Sequence, residues 1–244
     1  VAPERRLLLF DIDGTLMDTG GAGLAALLDA AEICLRVPRA QLPALDLAGA
    51  TDGAVVRSLF EAAGHDLTQS SIDAYHTAYL QQLAGGLVAE GFTGRLLPGV
   101  RELIEALATE PGVHLGLLTG NIREGARLKL ERFSMHGWFL DGAFGDDAEN
   151  RNELGPIALQ RLSAAARSSF DAADTIIIGD TPKDIACANA LGARCLAVAT
   201  GRFNIEELAA HRPWRVVSDL RDTTTIVRLL SGSHFSHRKT TTGE

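Results

Sequence analysis

Three short apolar runs of the sequence are each followed by side chains that carry oxygen atoms. The runs cover residues 6–10, 115–118 and 175–178, and the side chains that follow them are Asp11 and Asp13, Thr119, and Asp180 and Asp184. If these runs are parallel strands of one sheet, their carboxyl ends meet at the edge where such sheets bind ligands. The spacing therefore predicts one shared site built from carboxylates and a hydroxyl group.

Carboxylates that are gathered in one cleft repel one another, and a bound cation is one way to offset the repulsion. Mg²⁺ binds a few carboxylate oxygens, keeps several waters and shares its remaining positions with a substrate phosphate. The predicted group contains neither His nor Cys, which favours Mg²⁺ over Zn²⁺. We therefore expect these acidic residues to form a magnesium site.

Asp11 and Asp13 are two residues apart, so in extended backbone both side chains point to the same side. One carboxylate can then attack while the other carries the proton, provided that their environments differ. Gly14 allows the chain to turn sharply after the pair. The alternative is that the two acids merely end a strand, since aspartate is common in turns.

The other two motifs also have an ordinary structural explanation. The segment 119–121 could begin a helix with Asn121 as the N-cap, although an uncapped helix N-terminus also binds anions. Thr181, Pro182 and Asp184 are residue types that helices favour at the N-cap and in the first turn. Because all three motifs fall in order at strand ends, the sequence favours a functional site.

Continuous apolar runs without alternation indicate strands that are covered on both faces, and hence a parallel sheet. The segments 195–199 and 216–217 share this character with the three runs above. Helical patterns over 100–109, 122–133, 156–166 and 182–191 alternate with the strands. The alternation predicts an α/β fold with a doubly wound, Rossmann-like parallel sheet.

The stretch between the first strand and Pro98 has a different character. It is rich in Ala, Leu and Gln, shows no convincing strand, and favours helices over 24–35, 53–63 and 70–83. We therefore expect a helical cap domain at 18–93, inserted into a core domain formed by 1–17 and 94–231. The polar tail 232–244 has no apolar periodicity and is predicted to be disordered.

The composition is that of an ordinary globular protein, with 244 residues, 46% of them hydrophobic and 22% charged. A formal net charge of −8 disfavours non-specific binding to nucleic acids. No apolar run approaches the roughly 20 residues that span a bilayer, and the opening apolar run is too short for a signal peptide. We therefore expect a cytoplasmic protein without nucleic-acid or membrane partners. Nothing in the sequence predicts its oligomeric state.

Three segments of the chain match known motifs: DIDGTL at 11–16, LLTGN at 117–121 and GDTPKD at 179–184. They resemble the first, second and fourth motifs of the haloacid dehalogenase-like (HAD) hydrolase superfamily, specifically its phosphoglycolate phosphatase-like branch with a helical cap. LPGVRELIEAL at 97–107 is similar to the segment in which such chains return from the cap to the core. The resemblance covers about residues 7–230.

The resemblance implies roles for the first motif. Asp11 would attack phosphorus and become an aspartyl-phosphate, while Asp13 would protonate the leaving alcohol and then activate water. The Asp11 carboxylate and the backbone carbonyl of Asp13 would also bind Mg²⁺. Dehalogenases of the superfamily lack an acid at the position of Asp13, since a halide needs no protonation. Asp13 therefore argues against dehalogenation.

The resemblance also implies roles for the second and fourth motifs. Thr119, with the amide of Gly120 or Asn121, would hold the transferring phosphoryl oxygens. Asp180 would bind Mg²⁺. Asp184 would support the water shell of the metal or orient the cation of the third motif.

The third motif departs from the pattern of the superfamily, which usually places a Lys before the helix that leads to the fourth motif. This region reads GDDAENRNELGPIAL at 145–159 and contains no Lys. Arg151 is the best substitute, because it lies just before the predicted helix and can bridge phosphate and carboxylate groups. Lys129, in the preceding helix, is the alternative candidate for this cation, although we expect it to be exposed.

The predicted cap offers one candidate for substrate recognition. The segment 48–53 and Arg57 could face the site, where Arg57 would suit a second anionic group of the substrate. The alternative is that Arg57 lies on a solvated helix face.

The leading hypothesis is a Mg²⁺-dependent phosphatase that hydrolyses a small phosphorylated metabolite, a phosphoglycolate-like phosphomonoester. A phosphotransferase or mutase of the sugar-phosphate type would share the aspartyl-phosphate step and remains open. A catalytically silent binding module is the third alternative. A silent module would be expected to have lost the nucleophile. The sequence argues against this alternative because it retains Asp11, Asp13, Thr119 and Asp180. Fold alone does not identify the substrate.

Overall fold

The part of the chain that the structure describes combines a parallel sheet with a small antiparallel pair of strands. A computed structural model describes residues 5–232. In chain order, the strands are β1 (Arg6–Phe10), β2 (Met17–Asp18), β3 (Arg95–Leu96), β4 (Val113–Leu118), β5 (Gly142–Ala143), β6 (Thr175–Gly179), β7 (Arg194–Val198) and β8 (Arg215–Val217). The five predicted strands lie within two residues of observed ones.

The parallel sheet has the strand order β5-β4-β1-β6-β7-β8. β1 lies inside it, with Phe10 opposite Leu117 of β4 and Ile178 of β6. Because these strands are parallel, the residues that directly follow β1, β4 and β6 emerge next to one another at one edge. This register brings the three motifs of the sequence to the same place.

The side chains of β1 alternate between two apolar clusters, because successive residues of a strand point to opposite faces. Leu8 and Phe10 belong to the cluster on one face, and Leu7 and Leu9 to the cluster on the other. Both faces are therefore covered, which explains why this strand is a continuous apolar run in the sequence.

Helices cover both faces of the sheet. In chain order, they are α1 (Ala22–Leu35), α2 (Asp52–Ala63), α3 (Gln69–Val88), α4 (Val100–Ala108), α5 (Arg123–Arg132), α6 (Leu154–Ala165), α7 (Pro182–Leu191), α8 (Ile205–Ala210) and α9 (Thr223–Ser231). Helices α4, α5 and α9 contribute to the cluster that contains Phe10, and α6, α7 and α8 to the cluster that contains Leu9. The predicted doubly wound α/β fold is confirmed.

Helices α1, α2 and α3 form a helical unit with an apolar cluster of its own. Helix α1 packs along α3, and the Tyr75 hydroxyl of α3 donates a hydrogen bond of 2.8 Å to the Leu27 carbonyl. The unit contacts α5, where Arg132 Nε donates to the Leu87 carbonyl at 2.8 Å. The antiparallel pair β2–β3 lies where the chain enters and leaves this unit.

The three predicted cap helices are observed, each starting one or two residues earlier than expected. The division of the chain at 18 and 93 stays a prediction.

Strand β5 was not predicted, because two residues are too few to form a recognisable apolar run. The predicted disordered tail lies outside the described residues apart from Gly232. Among the helices of residues 5–232, none is long and apolar enough to cross a membrane.

Candidate active site

A cavity of about 770 Å³ lies at the carboxyl edge of the sheet, where residues of the sheet loops and of the α1–α3 unit line it together. Most of the residues that the sequence singled out line this cavity, namely Asp11, Asp13, Thr119, Gly120, Asn121, Arg151 and Asp180. Asp184 lies beside them, fully buried. The structure therefore brings the motifs together, while the chemical roles of these residues stay predictions.

Asp11 lies directly after β1, and its amide donates a hydrogen bond of 2.9 Å to the Ile178 carbonyl of β6. This bond continues the strand pairing and fixes the backbone of the residue. The carboxylate is buried, with Oδ1 at 3.3 Å from Arg151 Nη2. Burial raises the pKa of Asp11 to about 6, an effect that Arg151 only partly offsets. A bound cation would favour the ionised form, which is the nucleophilic one.

Asp180 follows β6 and accepts a hydrogen bond of 3.0 Å from Thr15 Oγ1. Burial, together with the charges of Asp184 and Asp11, raises the pKa of Asp180 to about 8. The Asp180 carboxylate is so close to the backbone of Gly14 that a Cβ atom there would collide with it. Gly14 also has a φ of +81°, a conformation that glycine adopts without strain. The glycine of the first motif is therefore needed to place Asp180.

Asp11, Asp180 and Asp184 form a buried acidic cluster, in which one carboxylate oxygen of each lies within 4.8 Å of the others. Arg151 is the cation in direct contact with it. Three carboxylates against one guanidinium leave two negative charges, which one divalent ion would neutralise. A donor set made only of oxygens fits Mg²⁺. The residues present are therefore suited to a magnesium ion.

Asp184 has both carboxylate oxygens engaged. Its Oδ1 accepts from Arg151 Nη2 at 2.5 Å, and its Oδ2 accepts from the amide and hydroxyl of Thr181 at 3.0 and 2.6 Å. The ordinary explanation of this motif is thus also correct, because Thr181 and Asp184 form a capping box at the start of α7. Of the two roles predicted for Asp184, these contacts favour orienting the cation of the third motif over supporting the water shell of the metal.

Arg151 lies in a short 3₁₀ turn, Arg151–Glu153, immediately before α6. Its Nη2 atom contacts Asp11 and Asp184 and lies 3.4 Å from the Leu118 carbonyl. Its Nε atom is buried and has no hydrogen-bond partner within the described part of the chain. The residue that the sequence offered as a substitute for the missing lysine therefore lies next to Asp11 and lines the cavity.

Lys129 also lines the cavity, although the sequence analysis favoured Arg151 as the cation of the third motif. Its Nζ atom donates to Asp13 Oδ2 at 2.7 Å and to Asn121 Oδ1 at 2.5 Å. Asn121 Nδ2 also donates to Asp13 Oδ2, at 2.7 Å. The prediction that Lys129 is exposed is wrong, since its side chain is only 5% exposed. A signal was present: Lys129 lies between Ala126 and Leu130, two buried positions of α5 at helical spacing.

The carboxylate of Asp13 is directed to Lys129 and Asn121 and is 44% exposed, whereas that of Asp11 is almost completely buried. The two acids of the first motif thus have different environments, as the sequence analysis required. The Asp13 carboxylate is not part of the acidic cluster. Its predicted contribution to a metal site, through the backbone carbonyl, stays a prediction.

The segment 119–121 connects β4 to α5. Thr119 is fully buried, and its Oγ1 accepts a hydrogen bond of 2.9 Å from Asn121 Nδ2. The alternative that Asn121 is the N-cap of α5 is wrong: the N-cap is Ile122, which has no side-chain cap of its own. Instead the Ile122 amide donates to Asp52 Oδ2 at 2.9 Å. Asp52, at the start of α2, belongs to the segment 48–53 that the sequence analysis offered as facing the site; it lines the cavity and joins the helical unit to the sheet edge.

Arg57 does not reach the cavity. Its Nε and Nη2 atoms both donate to the Glu149 carboxylate at 2.7 Å, and both side chains are about half exposed. The prediction that Arg57 contacts the substrate is therefore corrected. The alternative of a solvated helix face is closer to what the structure shows, because a bidentate partner outside the cavity holds the guanidinium.

Family comparisons agree with these motifs. The model of the haloacid dehalogenase-like hydrolase family matches residues 8–189, and a second model, of HAD-hydrolase-like proteins, matches residues 156–223. The first match covers more than half of the chain and includes all of the acidic cluster.

Curated relatives match at low identity over most of their length. A phosphoglycolate phosphatase from Pseudomonas syringae pv. tomato is 28% identical over 224 residues, which cover 88% of this chain and 77% of that protein. A probable phosphatase, IndB, from Dickeya dadantii is 29% identical over 218 residues, which cover 86% of this chain and 88% of that protein.

Among solved structures, a hydrolase from Pseudomonas syringae superposes with a TM-score of 0.69 at 20% identity, covering 93% of this chain and 99% of that one. At this identity the likeness shows the fold. The family match shows that the chain belongs to the haloacid dehalogenase-like hydrolase family.

Proposed function

We propose that the chain is a Mg²⁺-dependent phosphomonoester hydrolase that forms an aspartyl-phosphate on Asp11. The observation that carries this proposal is the contrast between the two acids of the first motif. Asp11 is buried beside Arg151, while Asp13 is half exposed and held by Lys129. This contrast supports attack by Asp11 and proton transfer by Asp13.

In the first step, a carboxylate oxygen of Asp11 attacks phosphorus and the bond from phosphorus to the ester oxygen breaks. Protonated Asp13 gives its proton to the departing alkoxide, so that a neutral alcohol leaves. Lys129 and Asn121 both donate to Oδ2 of Asp13, which leaves Oδ1 as the oxygen that would carry this proton.

In the second step, Asp13 is ionised and accepts a proton from water. The water oxygen attacks phosphorus, and the bond between phosphorus and Asp11 breaks. Inorganic phosphate leaves, Asp11 becomes a carboxylate again, and Asp13 holds the proton for the next cycle. The same residue therefore acts first as general acid and then as general base.

The groups that would hold the phosphoryl oxygens surround Asp11. Arg151 lines the cavity with a buried Nε that lacks a protein partner in the described residues, and a phosphoryl oxygen would provide one. The Thr119 hydroxyl and the amide of Gly120 or Asn121 would supply further donors. In the loose transition state of phosphoryl transfer, fixed donors of this kind stabilise the charge on the equatorial oxygens.

Asp11 and Asp180 would hold the magnesium ion, with the backbone carbonyl of Asp13. The bound ion supplies positive charge that neutralises phosphoryl oxygens and keeps Asp11 ionised. Asp184 would act indirectly, by holding Arg151 in place. The names of the curated relatives support a phosphomonoester as substrate and make phosphoglycolate the first compound to try.

Phosphate release tests this proposal. Wild-type protein and Asp11→Asn are assayed with phosphoglycolate, simple alkyl phosphates and an aryl phosphate, with Mg²⁺ and with a chelator. We expect turnover that needs Mg²⁺ and is lost in Asp11→Asn. Turnover that survives this substitution would exclude Asp11 as the nucleophile. A product that is an isomerised sugar phosphate, without net release of phosphate, would identify a mutase instead.

A further inference from the structure

The residues that the helical unit and its connecting segment contribute to the lining of the cavity are predominantly apolar. Leu24, Leu27 and Leu28 of α1 line it. Leu42, Leu45 and Leu47, from the segment between α1 and α2, line it as well. The alcohol portion of an ester whose phosphoryl group is held at Asp11 would thus share the cavity with this hydrocarbon surface.

The cavity is large for a two-carbon acid. Its volume of about 770 Å³ lies in the range of roughly 300–1,000 Å³ that is typical of sites for drug-sized ligands. The apolar residues that line it belong to the helical unit, so the extra space adjoins the alcohol portion of an ester. A larger leaving group would fill this space and remove its apolar surface from water.

The cations that line the cavity already have carboxylate partners. Within the described residues they are Arg39, Lys129, Arg151 and Arg202. Their partners are Asp29, Asp13, Asp184 and Asp46, respectively, at 2.5 to 3.3 Å. The pair of Arg39 is nearly half exposed and that of Arg202 is largely exposed, so a substrate carboxylate that replaced either partner would itself gain little. A substrate carboxylate would therefore meet apolar surface without a dedicated cation, which is unfavourable.

From these observations we propose that the preferred substrate is a phosphomonoester of an uncharged alcohol with an apolar group of several carbons, which occupies the leucine-lined part of the cavity. This inference rests on the proposed phosphatase activity. The proposed substrate preference differs from the preference for phosphoglycolate that the names of the relatives suggest. The apolar contact would raise kcat/KM with each added methylene, by about fourfold, until the space is filled.

The test compares ethyl, butyl and hexyl phosphate with phosphoglycolate in the presence of Mg²⁺. We expect kcat/KM to rise from ethyl to hexyl phosphate and to be lowest for phosphoglycolate. A higher kcat/KM for phosphoglycolate than for hexyl phosphate would overturn the inference and leave the phosphatase activity intact.

A pair of variants on α1 links the preference to the cavity. Leu24 lines the cavity and is partly exposed, so Leu24→Arg should fold. It should lower kcat/KM for hexyl phosphate at least tenfold and raise it for phosphoglycolate. Ile33 is similarly exposed on the same helix but does not line the cavity, so Ile33→Arg should change neither value. Equal effects of both substitutions would contradict the assignment.

Binding of phosphonates separates this inference from the proposed hydrolysis. Hexylphosphonate and 3-phosphonopropionate cannot be hydrolysed, and the second matches phosphoglycolate in shape and charge. Calorimetry with the wild-type protein and Mg²⁺ should give at least tenfold tighter binding of hexylphosphonate. This result, in a protein that releases no phosphate, would support the apolar site while refuting the phosphatase. Tighter binding of 3-phosphonopropionate would overturn the inference whether or not esters are hydrolysed.

Discussion

Lys129 Nζ lies 2.7 Å from Asp13 Oδ2, so that a nearly buried ammonium group holds the carboxylate to which we assign proton transfer. The pair is supported by Asn121, which bonds both partners. Asp13 is the more exposed acid of the first motif, and without these contacts its side chain would have several rotamers available. We therefore assign Lys129 of α5, which the sequence analysis expected to be exposed, the part of a positioning residue for Asp13.

Lys129→Met should reduce kcat by about 10- to 100-fold for alkyl phosphates, because Asp13 would lose a partner that fixes its orientation. The reduction should be several times smaller for an aryl phosphate, whose leaving group needs little protonation. Steady-state kinetics with an alkyl and an aryl ester measure this difference. A uniform loss on both esters would contradict a role in proton transfer and indicate a purely structural one.

Arg127 provides the matched control, because it lies on the same helix but forms exposed ion pairs with Glu124 and Glu131. Exposed pairs of this kind contribute little to stability. Arg127→Met should therefore leave kcat within about twofold of the wild type for both esters.

Arg151→Lys should reduce kcat by about 100-fold, because a lysine ammonium could replace Nη2 beside Asp11 and Asp184 but not the Nε donor that we propose binds a phosphoryl oxygen. Arg161→Lys is the control, because Arg161 is also paired with an aspartate, Asp147, but does not line the cavity. Phosphate-release kinetics of both variants give the comparison. Equal kcat values for the two variants would show that Arg151 has no special part in the reaction.

Gly14→Ala should weaken the apparent affinity for Mg²⁺ by about 10- to 100-fold, because the new Cβ would displace the Asp180 carboxylate. Gly64→Ala is the control, because Gly64 has a φ of +67°, similar to the +81° of Gly14, and the substitution introduces similar backbone strain. The new Cβ atom at position 64 would have no atom within 4 Å. The Mg²⁺ dependence of activity should thus shift in the first variant alone. A similar shift in both variants would attribute the effect to strain and not to Asp180.

The metal-free protein should lose stability as the pH rises from about 6.5 to about 8. The pKa of Asp180 rises from 3.8 in the unfolded chain to about 8 in the folded one, so only the folded state holds this proton in that range. A state that holds more protons is disfavoured by rising pH. The free energy of unfolding should therefore fall by on the order of 1 kcal/mol per pH unit. Histidines whose pKa values are lowered on folding act in the opposite direction, but only below about 6.5.

Urea unfolding in chelator at several pH values measures this slope. Asp180→Asn should flatten it, because the amide does not titrate. Saturating Mg²⁺ should also reduce it, since the metal binds the ionised carboxylate. A slope in chelator that is the same in the wild type and in Asp180→Asn would contradict the assignment.

The sequence was sufficient to predict the sheet and the grouping of its motifs. Residues 6–10 and 175–178 are apolar on both faces, and that pattern requires a covered parallel strand. Asp11 and Asp180 each come after a strand of this kind. Parallel pairing of the two strands therefore brings the two residues together, and no particular long-range contact had to be predicted. Arg151 could be proposed because it lies directly before a predicted helix.

The residues that the sequence analysis misplaced depend on tertiary packing. Lys129 was expected in solvent because lysine is rarely buried without a partner, and its partner Asp13 lies 116 positions away. Arg57 was expected at the site, but its direction is set by Glu149, which is 92 positions away. The cap of α5 is supplied by Asp52, in another part of the chain. None of these pairings has a local sequence signature.

The most direct test of the account is to detect the covalent intermediate. Protein turning over an alkyl phosphate with Mg²⁺ is quenched in acid, digested and analysed by mass spectrometry. We expect one acyl-phosphate on the peptide that contains Asp11, and none when Asp11→Asn is treated in the same way. Phosphate release without any phosphorylated peptide, or with the label on another residue, would contradict the proposed nucleophile.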